Sequence, residues 1–378
     1  AGKLKNPRDY FINLDYKTYL AACSQGPLSW QVVTALERYK YDLLERGNPW
    51  DLWIEGLEEA KALFAELIGA RREEVTAGCS VSSLFSSLLS ALEYGRRRRI
   101  VTSDLEYPNV TYPVLMQRRR GAVIHMIRAR GESPELDPED YAGAVDEDTA
   151  LVTAIHVATV NGFRQDLRRI SEIAHARGAL VFSDAYQSAG TLAIDVRRED
   201  VDFLSAGSLK WLLGVPGIAF LYVRGELVES LEPMDAGWLS QERPFEFGAE
   251  ELSYARTADR FQSGTWSVPS VYAAVEGMRI ILEVGPRAIE ERIRGLTERA
   301  IERMDERGLR TMTPRDPSRR GAIVSVVVRD PPAVERRLRE MGIITSARGP
   351  VLRLCPHFYN TEDEVVEAVD AISSIAGS

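Results

Sequence analysis

The sequence predicts an α/β fold in which helices cover a mostly parallel, seven-stranded sheet, followed by a smaller α+β domain. Between residues 29 and 223 the apolar pattern switches repeatedly between helical spacing and short buried runs, which is typical of such a sheet. Beyond that region the pattern changes to two long helices, the second rich in Glu and Arg. A length of 378 residues suits two or three domains. We expect an N-terminal arm over 1–28, a large domain over 29–268 and a small C-terminal domain over 269–378.

The individual elements follow from local signals. Ser29 is a residue type that begins helices and Gly47 one that ends them, so the first helix is predicted over 29–47 and the second over 52–68. Apolar runs predict strands at 74–76, 100–102, 122–126, 150–157, 180–183, 203–205 and 218–222. Helical spacing between these runs predicts helices at 81–94, 108–120 and 166–177. The small domain is predicted to contain helices at 270–283 and 286–307 and strands at 323–328 and 351–354.

Composition and charge limit the classes of partner. With 47 basic and 56 acidic residues the net charge is −9, which does not favour binding to nucleic acid or to an anionic membrane surface. The longest uncharged apolar stretch, 212–223, is well short of the roughly 20 residues that cross a bilayer. The first ten residues contain no hydrophobic leader. We therefore expect a protein that binds neither nucleic acid nor membrane.

The cysteines and histidines predict neither a disulfide framework nor a metal site. Cys23, Cys79 and Cys355 are far apart, odd in number and form no CxxC pair. The four histidines are also widely separated, which does not favour an imidazole-rich metal site. These features predict a metal-free protein of the reducing cytoplasm.

Lys210 is the only lysine after position 61, in a sequence otherwise rich in arginine. It lies in VDFLSAGSLKWLLGVPG, where a short apolar strand runs into a turn of small residues. Arginine stays charged in practice, whereas an amine in apolar surroundings has a depressed pKa and can attack a carbonyl. Chance survival of one lysine is the alternative explanation. The setting favours an amine that forms a Schiff base with an aldehyde cofactor.

Asp184 ends the apolar strand of GALVFSDAYQSAG. A carboxylate at the C-terminal end of a parallel strand lies at the edge where such sheets bind ligands. A buried carboxylate favours a cationic partner, such as the protonated nitrogen of a pyridine ring, and a charge-assisted hydrogen bond of this kind contributes roughly 1.5 to 3 kcal/mol. The alternative role is a cap for the following turn.

A third segment, TAGCSVSSLFSSLLSAL, runs from a strand through Gly78 into a turn of small residues that opens a helix. Free backbone N–H groups and hydroxyls at such a helix start suit a phosphate group. Neither GxxxxGK nor GxGxxG occurs in the sequence, so these nucleotide-binding motifs are absent.

Four segments, taken in order, resemble the class V branch of the fold-type I pyridoxal-phosphate (PLP) enzymes: SDAYQSAG, VDFLSAGSLKWLLGVPGIAFLYV, FQSGTWSVPS and VLRLCPHFYNTEDEV. This branch includes aminotransferases, cysteine desulfurases, kynureninase-like hydrolases and isopenicillin-epimerase-like proteins. The resemblance covers nearly the whole chain. It implies the fold-type I architecture, a pyridoxal 5′-phosphate cofactor and a small amino-acid substrate.

The resemblance also implies roles for individual residues. Lys210 resembles the lysine that forms the Schiff base and moves a proton between the substrate α-carbon and the cofactor. Asp184 resembles the carboxylate that holds the pyridine nitrogen. Gln187 and Asn161 resemble donors to the phenolate oxygen of the cofactor. Tyr107 resembles the side chain stacked on the cofactor ring, with an ordinary core aromatic as the alternative.

The phosphate group and the subunit interface are assigned in the same way. The residues that resemble the phosphate-binding turn are Cys79, Ser80, Val81 and Ser82, with Ser208 as a further candidate. The family often has Ser or His around that last position, where this chain has Gly207 and Leu209, so Ser208 departs from the pattern. Gly264 and Thr265 resemble a turn that reaches the phosphate from the other subunit. The resemblance therefore implies a homodimer with its active site at the subunit interface.

Arg353 resembles the arginine that binds the substrate α-carboxylate, for which a planar guanidinium suits bidentate binding. A surface arginine is the alternative. Cysteine desulfurases carry a nucleophilic cysteine on a mobile loop shortly before this arginine, and here that stretch reads GIITSARGP without one. Cys355 lies two residues after Arg353, where strand alternation places both on one face and leaves open a thiol near the substrate. Pro356 follows directly and no flexible loop surrounds the cysteine, which argues against persulfide chemistry.

The resemblance determines the cofactor better than the reaction. We expect an aminotransferase that acts on a small α-amino acid with a 2-oxo acid acceptor. The alternatives on the same fold are a C–S or C–C lyase, such as a cystine lyase, a selenocysteine lyase or a kynureninase-like enzyme, and an amino-acid epimerase. A noncatalytic binding protein that keeps the fold is the alternative from a different class.

Overall fold

The computed structural model describes residues 6–248 and 250–376. The helices are α1 (Trp30–Arg46), α2 (Trp50–Ile68), α3 (Val81–Ser90), α4 (Pro108–Met116), α5 (Pro138–Ala142), α6 (Leu167–His175), α7 (Val196–Glu199), α8 (Gly225–Val228), α9 (Val268–Val284), α10 (Pro286–Glu306), α11 (Pro331–Glu340) and α12 (Glu362–Ala376). The strands are β1 (Thr18–Tyr19), β2 (Val75–Gly78), β3 (Arg99–Ser103), β4 (Val123–Ile127), β5 (Thr149–Thr153), β6 (Leu180–Asp184), β7 (Phe203–Gly207), β8 (Ala219–Val223), β9 (Val324–Val327), β10 (Ile343–Ile344), β11 (Ser346–Arg348) and β12 (Val351–Leu354). Residues 1–5 of the predicted arm and 377–378 of the predicted small domain lie outside the described residues. Within the described ranges, no helix is both long and apolar enough to span a bilayer.

The central sheet has the strand order β2-β8-β7-β6-β5-β3-β4. Neighbouring strands run parallel except at β8, which is antiparallel to both β2 and β7. All seven strands predicted from the sequence are present, so the prediction of a mostly parallel, seven-stranded sheet is confirmed. Parallel strands place their C-terminal ends along one edge of a sheet, where ligands bind. In this sheet Ser103, Asp184 and Gly207 occupy three of these ends.

The predicted boundaries of the first helix agree with the structure, whereas the helix predicted over 108–120 ends early. The Ser29 hydroxyl accepts a hydrogen bond from a backbone N–H in the first turn of α1 at 3.1 Å, and Gly47, with φ 68°, ends that helix. The helix predicted over 108–120 is shorter, because α4 ends at Met116 and a 3₁₀ turn follows it. Pro113 inside this segment removes one helical hydrogen bond, which weakens the α-helix before its predicted end.

Two other predicted elements also end early. Helix α3 stops at Ser90, although helical spacing continues to Tyr94, and β5 stops at Thr153, although the apolar run continues to Val157. Tyr94 and Val157 are both buried in irregular segments. The apolar pattern therefore indicates buried residues correctly, but these residues continue past the ends of the helix and the strand.

The C-terminal region contains a second, antiparallel sheet with the order β11-β12-β9. Strand β1 of the N-terminal arm pairs with β10, so the arm is joined to this region. The sequence pattern does not predict β1, β10 and β11, which are only two or three residues long, or helices α11 and α12. Helix α9, which opens the predicted small domain, packs against α1 and α2. The predicted domain boundaries remain predictions.

Cys23 and Cys355 form a disulfide bond, with their Cα atoms 5.7 Å apart. The expectation that the cysteines form no disulfide is therefore wrong for this pair, because residues 332 positions apart in sequence are neighbours in the fold. The bond ties the N-terminal arm to the end of β12, and both residues are buried. The remaining cysteine, Cys79, is free and exposed. Because two of the three cysteines are bonded to each other, the cysteines do not favour a reducing compartment.

Candidate active site

Lys210 lies in the turn that follows β7, at the C-terminal edge of the central sheet. Its Nζ atom is 4.4 Å from the ring centroid of Tyr186 and 5.6 Å from that of Tyr107. Burial lowers the pKa of Lys210 to about 8, against an opposing effect of the Asp184 carboxylate. An appreciable fraction of the amine is therefore neutral and nucleophilic at mildly alkaline pH.

Asp184 ends β6, the strand next to β7. The side chain is almost fully buried, and its Oδ1 atom accepts a hydrogen bond from the backbone N–H of Tyr186 at 2.8 Å. Burial raises the pKa of Asp184, while this hydrogen bond and the charge of Lys210 oppose the shift. A cationic group placed against this carboxylate would stabilise its charged form, as a protonated ring nitrogen does.

The amides of Gln187 and Asn161 are held by other groups of the chain. Gln187 donates to the carbonyl of Cys23 at 3.1 Å and accepts from the indole N–H of Trp211 at 2.8 Å. Asn161 donates to the carbonyl of Pro134 at 2.8 Å. An amide nitrogen carries two N–H groups, so each side chain keeps one further donor. Their contact with the phenolate oxygen of a cofactor remains a prediction.

The turn of small residues opens α3, as the sequence indicates. The Ser80 hydroxyl accepts the backbone N–H of Ser83 at 3.2 Å and caps the helix. Val81, the first helical residue, is buried, and Ser82 is half-buried. The start of α3 therefore offers backbone N–H groups close to two serine hydroxyls, which suits an anion.

A cavity of about 140 Å³ brings this turn together with Gly264 and Thr265. Cys79 and Ser83 line its other side, with the Cys79 sulfur 3.4 Å from the Ser83 hydroxyl. All four residues belong to one chain, so the cavity forms without a second subunit. The predicted approach of Gly264 and Thr265 to the phosphate of a partner subunit remains a prediction.

Ser208 shapes the turn that carries Lys210. Its hydroxyl donates to the carbonyl of Val215 at 3.0 Å, and its own carbonyl accepts from the backbone N–H of Gly214 at 2.9 Å. The hydroxyl proton is thus used inside the turn. A hydroxyl oxygen also accepts hydrogen bonds, and the predicted contact with the phosphate remains a prediction.

Arg353 is fully buried on β12. Its guanidinium donates to the carbonyl of Thr159 at 3.1 Å, to the Ser346 hydroxyl at 2.7 Å and to the Ser346 carbonyl at 3.3 Å. Burial lowers the pKa of Arg353 to about 10. In the described part of the chain no carboxylate lies within ion-pair distance of it. A buried guanidinium held only by neutral oxygens lacks a compensating charge, which a substrate carboxylate would supply.

Tyr186 is a site residue that the sequence pattern does not indicate. Its ring occupies the space beside Gly207, where a Cβ atom would lie 2.1 Å from the Tyr186 hydroxyl oxygen. Tyr186 and Tyr107 thus flank the amine of Lys210. The signal in the sequence was the glycine itself, which replaces the Ser or His that the family often carries near the lysine.

Glu106 is a second residue that the sequence pattern does not indicate. The buried carboxyl accepts the backbone N–H of Ile155 at 2.8 Å. Burial, and then the charge of Asp184, raise the pKa of Glu106 to about 8. Glu106 is therefore mainly a neutral acid at neutral pH, directly before Tyr107 in the chain.

These groups fit PLP by their chemistry. Lys210 would supply an amine for the aldehyde carbon and Asp184 a carboxylate for the ring nitrogen, and the rings of Tyr107 and Tyr186 lie near the amine. The start of α3 would supply donors for the phosphate, and no acid of the described residues pairs with Arg353. The fold and this set of side chains define a PLP-dependent enzyme of fold type I.

Comparison with known proteins gives the family. A family model described as aminotransferase class-V matches residues 32–362, so the chain belongs to the class V aminotransferase family. The chain is 36% identical to the uncharacterised aminotransferase YcbU of Bacillus subtilis (strain 168), over 97% of this chain and 96% of that protein. It is 29% identical to a kynureninase of Geobacillus thermodenitrificans (strain NG80-2), over 98% and 91% of the two chains.

A solved structure shows the same fold. It is a C-DES variant with glycine covalently linked to its PLP cofactor, with a TM-score of 0.87, 20% sequence identity and coverage of 97% of this chain and 98% of that one. This likeness confirms the predicted fold. Membership of the class V aminotransferase family identifies pyridoxal 5′-phosphate as the cofactor.

Proposed function

We propose that the protein is a PLP-dependent aminotransferase that transfers the amino group of a small α-amino acid to a 2-oxo acid. One observation supports this most directly: the buried guanidinium of Arg353, which pairs with no acid of the described residues, lies within electrostatic reach of the amine of Lys210. Burial is the main cause of the lowered pKa of Lys210, and the charge of Arg353 lowers it further. The site thus combines a receptor for an α-carboxylate with a base of suitable pKa.

Each side chain then has a defined task. PLP, when bound, supplies an aldehyde carbon and an electron-withdrawing ring. Arg353 binds the α-carboxylate and orients the α-carbon toward Lys210. The Nζ atom of Lys210 takes up and releases the proton, which its pKa of about 8 allows near neutral pH. Asp184 holds the proton on the ring nitrogen.

Thiol chemistry of the cysteine desulfurase kind has no support in the site. The sulfur of Cys355, two residues from Arg353, is bonded to Cys23. The free thiol of Cys79 lies beside the cavity at the start of α3, away from the α-carboxylate receptor. A lyase that acts on a carbon–carbon bond is the second candidate function, because a relative that spans almost the whole chain is named kynureninase.

The test is a half-reaction of the holoenzyme with one L-amino acid and no acceptor. We expect stoichiometric conversion of the cofactor to its pyridoxamine form, with release of one 2-oxo acid, and recovery of the original spectrum when a 2-oxo acid is added. Repeated turnover without an acceptor, with release of pyruvate, alanine or anthranilate, would instead establish a lyase. Accumulation of the D-amino acid with an unchanged spectrum would establish an epimerase.

Two variants serve as controls for this test. Lys210→Ala should abolish the half-reaction and the borohydride-trapped adduct. A wild type that shows neither, and so equals Lys210→Ala in both measurements, would establish a noncatalytic protein. Arg353→Lys keeps the positive charge but loses the planar fork. We expect it to raise the KM for the amino acid by about tenfold or more, with a smaller effect on kcat.

We further propose that the protein is a homodimer with its active site at the subunit interface. Large apolar side chains are exposed on α1 and on the segment after residue 233, among them Trp30, Leu44 and Phe247. Burial of such side chains against a second copy is favourable. Sedimentation should give twice the chain mass. Co-expression of Lys210→Ala chains with Thr265→Trp chains should restore activity if a site takes residues from both subunits, and should not if each site lies in one chain.

A further inference from the structure

The hairpin of β11 and β12 places two arginines on one face. Ser346 pairs with Arg353 and Arg348 pairs with Val351, so a two-residue turn joins the strands and fixes this register. Residues two apart in a strand, and residues directly opposite each other, lie on the same face. Arg348 is therefore the diagonal neighbour of Arg353, at roughly 7 to 8 Å between backbone positions. The bond between Arg353 and the Ser346 hydroxyl agrees with this arrangement.

Arg348 differs from Arg353 in its surroundings. It is exposed at the tip of the hairpin, whereas Arg353 is fully buried. Over residues 6–248 and 250–376, no hydrogen bond or ion pair holds the Arg348 guanidinium. Two other exposed arginines are paired, by contrast: Arg128 with Asp104 at 3.5 Å, and Arg310 with Glu132 at 3.2 Å.

The charge of Arg348 affects the pKa of two residues in the site, Arg353 and Lys210. Burial is the main cause of the lowered pKa of Arg353, and the charge of Arg348 adds to it. The same charge also contributes to the lowered pKa of Lys210, after burial and Arg353. Arg348 thus lies within electrostatic reach of both the amine and the receptor for the α-carboxylate.

A cavity of about 520 Å³ is lined by Arg348 and by Tyr107, whose ring centroid is 5.6 Å from the Lys210 amine. Thr159, Met312 and Pro350 also line it. Thr159 is also the residue whose carbonyl holds Arg353, so the cavity reaches the Arg353 side of the site.

The acids of this cavity do not neutralise Arg348. Asp104 is paired with Arg128 and accepts the backbone N–H of Ala129 at 2.9 Å. Glu106 is buried, and burial followed by the charge of Asp184 raises its pKa to about 8, so it is mainly neutral below that pH. Among the described residues that line the cavity, Arg348 therefore presents a positive charge that no acid pairs with.

We propose that Arg348 binds a carboxylate at the side-chain end of the substrate, so that the enzyme takes a dicarboxylic amino acid, or the corresponding 2-oxo diacid, as one of its two substrates. This inference rests on the proposed function, since it places the α-carboxylate on Arg353. A guanidinium binds a carboxylate through two parallel hydrogen bonds, and an exposed, unpaired one forms them without first breaking an ion pair.

The test uses equilibrium binding to the holoenzyme, so that it does not depend on turnover. Succinate and glutarate are compared by calorimetry with butyrate and valerate, which have the same chain lengths and only one carboxylate. We expect the diacids to bind the wild type about tenfold more tightly or better, which is the range of a charge-assisted hydrogen bond. Arg348→Gln should remove this preference, and Arg348→Lys should keep part of it.

Control measurements separate the possible failures. Arg336→Gln, at an exposed arginine of α11, should keep the diacid preference, and an unchanged cofactor spectrum shows that each variant is folded. A wild type without a diacid preference, or Arg348→Gln with an unchanged one, would overturn the inference. If L-alanine converts the wild-type cofactor but the diacids have no advantage, only this inference fails. If the diacid preference depends on Arg348 but no amino acid gives the pyridoxamine form, the proposed aminotransferase function fails instead.

Discussion

At the scale of single residues, burial sets the chemistry of the site. It moves the pKa of Lys210 and Arg353 down and that of Asp184 up, so each group is pushed toward its neutral form. Arg353 remains charged, because its pKa of about 10 is well above neutral pH. Lys210 lies close to the point where both of its forms are populated. Arg353 thus keeps its positive charge, whereas Lys210 can gain or lose a proton near neutral pH. The proposed amino-acid substrate requires both properties.

The lowered pKa of Lys210 predicts a pH dependence for cofactor capture by the apoenzyme. The neutral amine attacks the aldehyde, and its fraction rises as pH rises through the pKa. We therefore expect the rate of capture to increase about tenfold per pH unit well below pH 8 and to level off above about 8. An ordinary lysine would level off only above 10.5. Stopped-flow absorbance from pH 6 to 10 measures this rate, with a free alkylamine as the reference for pH effects on PLP itself. A profile that still rises at pH 10 contradicts the prediction.

The contact between Gly207 and Tyr186 predicts the effect of one methyl group. In Gly207→Ala the new Cβ atom would overlap the Tyr186 hydroxyl, at 2.1 Å, and the ring carbon that bears it, at 2.3 Å. Tyr186 must then move away from the Lys210 amine. Overpacking of this kind costs about 1 to 3 kcal/mol, so we expect PLP to bind about 5- to 150-fold more weakly. Titration of the apoenzyme with PLP, followed by absorbance, measures the change.

Two further variants test whether this steric explanation is correct. Gly95→Ala is the matched control, because nothing lies within 4 Å of a Cβ atom at that position. Adding Tyr186→Ala to Gly207→Ala removes the overlapping ring, so the double variant should lose less affinity than the two single effects combined. Additive effects would show that the two residues act independently.

At the scale of elements, the apolar patterns of the sequence predict all seven strands of the central sheet. Six of the seven central strands are buried runs, and only β4, at the edge of the sheet, is mostly exposed or half-buried. The segments that carry Asp184 and Lys210 follow directly from these runs. Short strands such as β11 contain too few residues to show the alternation of apolar and polar residues that predicts a strand. Tyr186 and Arg348 escaped prediction for a different reason: their importance depends on space beside a distant glycine and on a cross-strand register, which only the fold supplies.

One contact between elements connects the N-terminal arm to the lysine turn. The backbone N–H of Gly26 donates to the carbonyl of Leu209 at 2.9 Å, and a Cβ atom at Gly26 would lie 2.4 Å from the Lys210 carbonyl oxygen. Gly26→Ala should therefore displace the arm from the turn, lower the melting temperature and weaken PLP binding about tenfold. Thermal unfolding and PLP titration measure the two effects. Unchanged PLP affinity in a variant with a normal melting temperature would show that the arm does not support the turn.

At the scale of the whole molecule, the N-terminal arm joins the two sheets. Strand β1 pairs with β10 beside the small sheet, while the carbonyl of Cys23 accepts a hydrogen bond from Gln187 in the central region. The disulfide adds a covalent connection between the arm and β12, two residues beyond Arg353. We therefore expect the arm to help set the position of Arg353, the proposed receptor for the α-carboxylate, relative to the central sheet. The sequence patterns indicated only an N-terminal extension here.

Reduction of this disulfide should destabilise the protein and weaken substrate binding together. A cross-link between residues 332 positions apart restricts the unfolded chain strongly, by about 6 kcal/mol in the chain-entropy model. We expect Cys23→Ser/Cys355→Ser to unfold at a lower temperature and to show a higher KM for the amino acid, because Arg353 loses its nearest covalent anchor. Cys79→Ser is the matched control, since Cys79 is exposed and forms no disulfide, and it should keep the melting temperature of the wild type.

Two outcomes would contradict this prediction. If the double variant melts at the wild-type temperature, and dithiothreitol leaves the melting temperature of the wild type unchanged, the bond contributes nothing to stability. If only the melting temperature falls while KM is unchanged, β12 holds Arg353 in place through its hydrogen bonds to Ser346 and Thr159 alone.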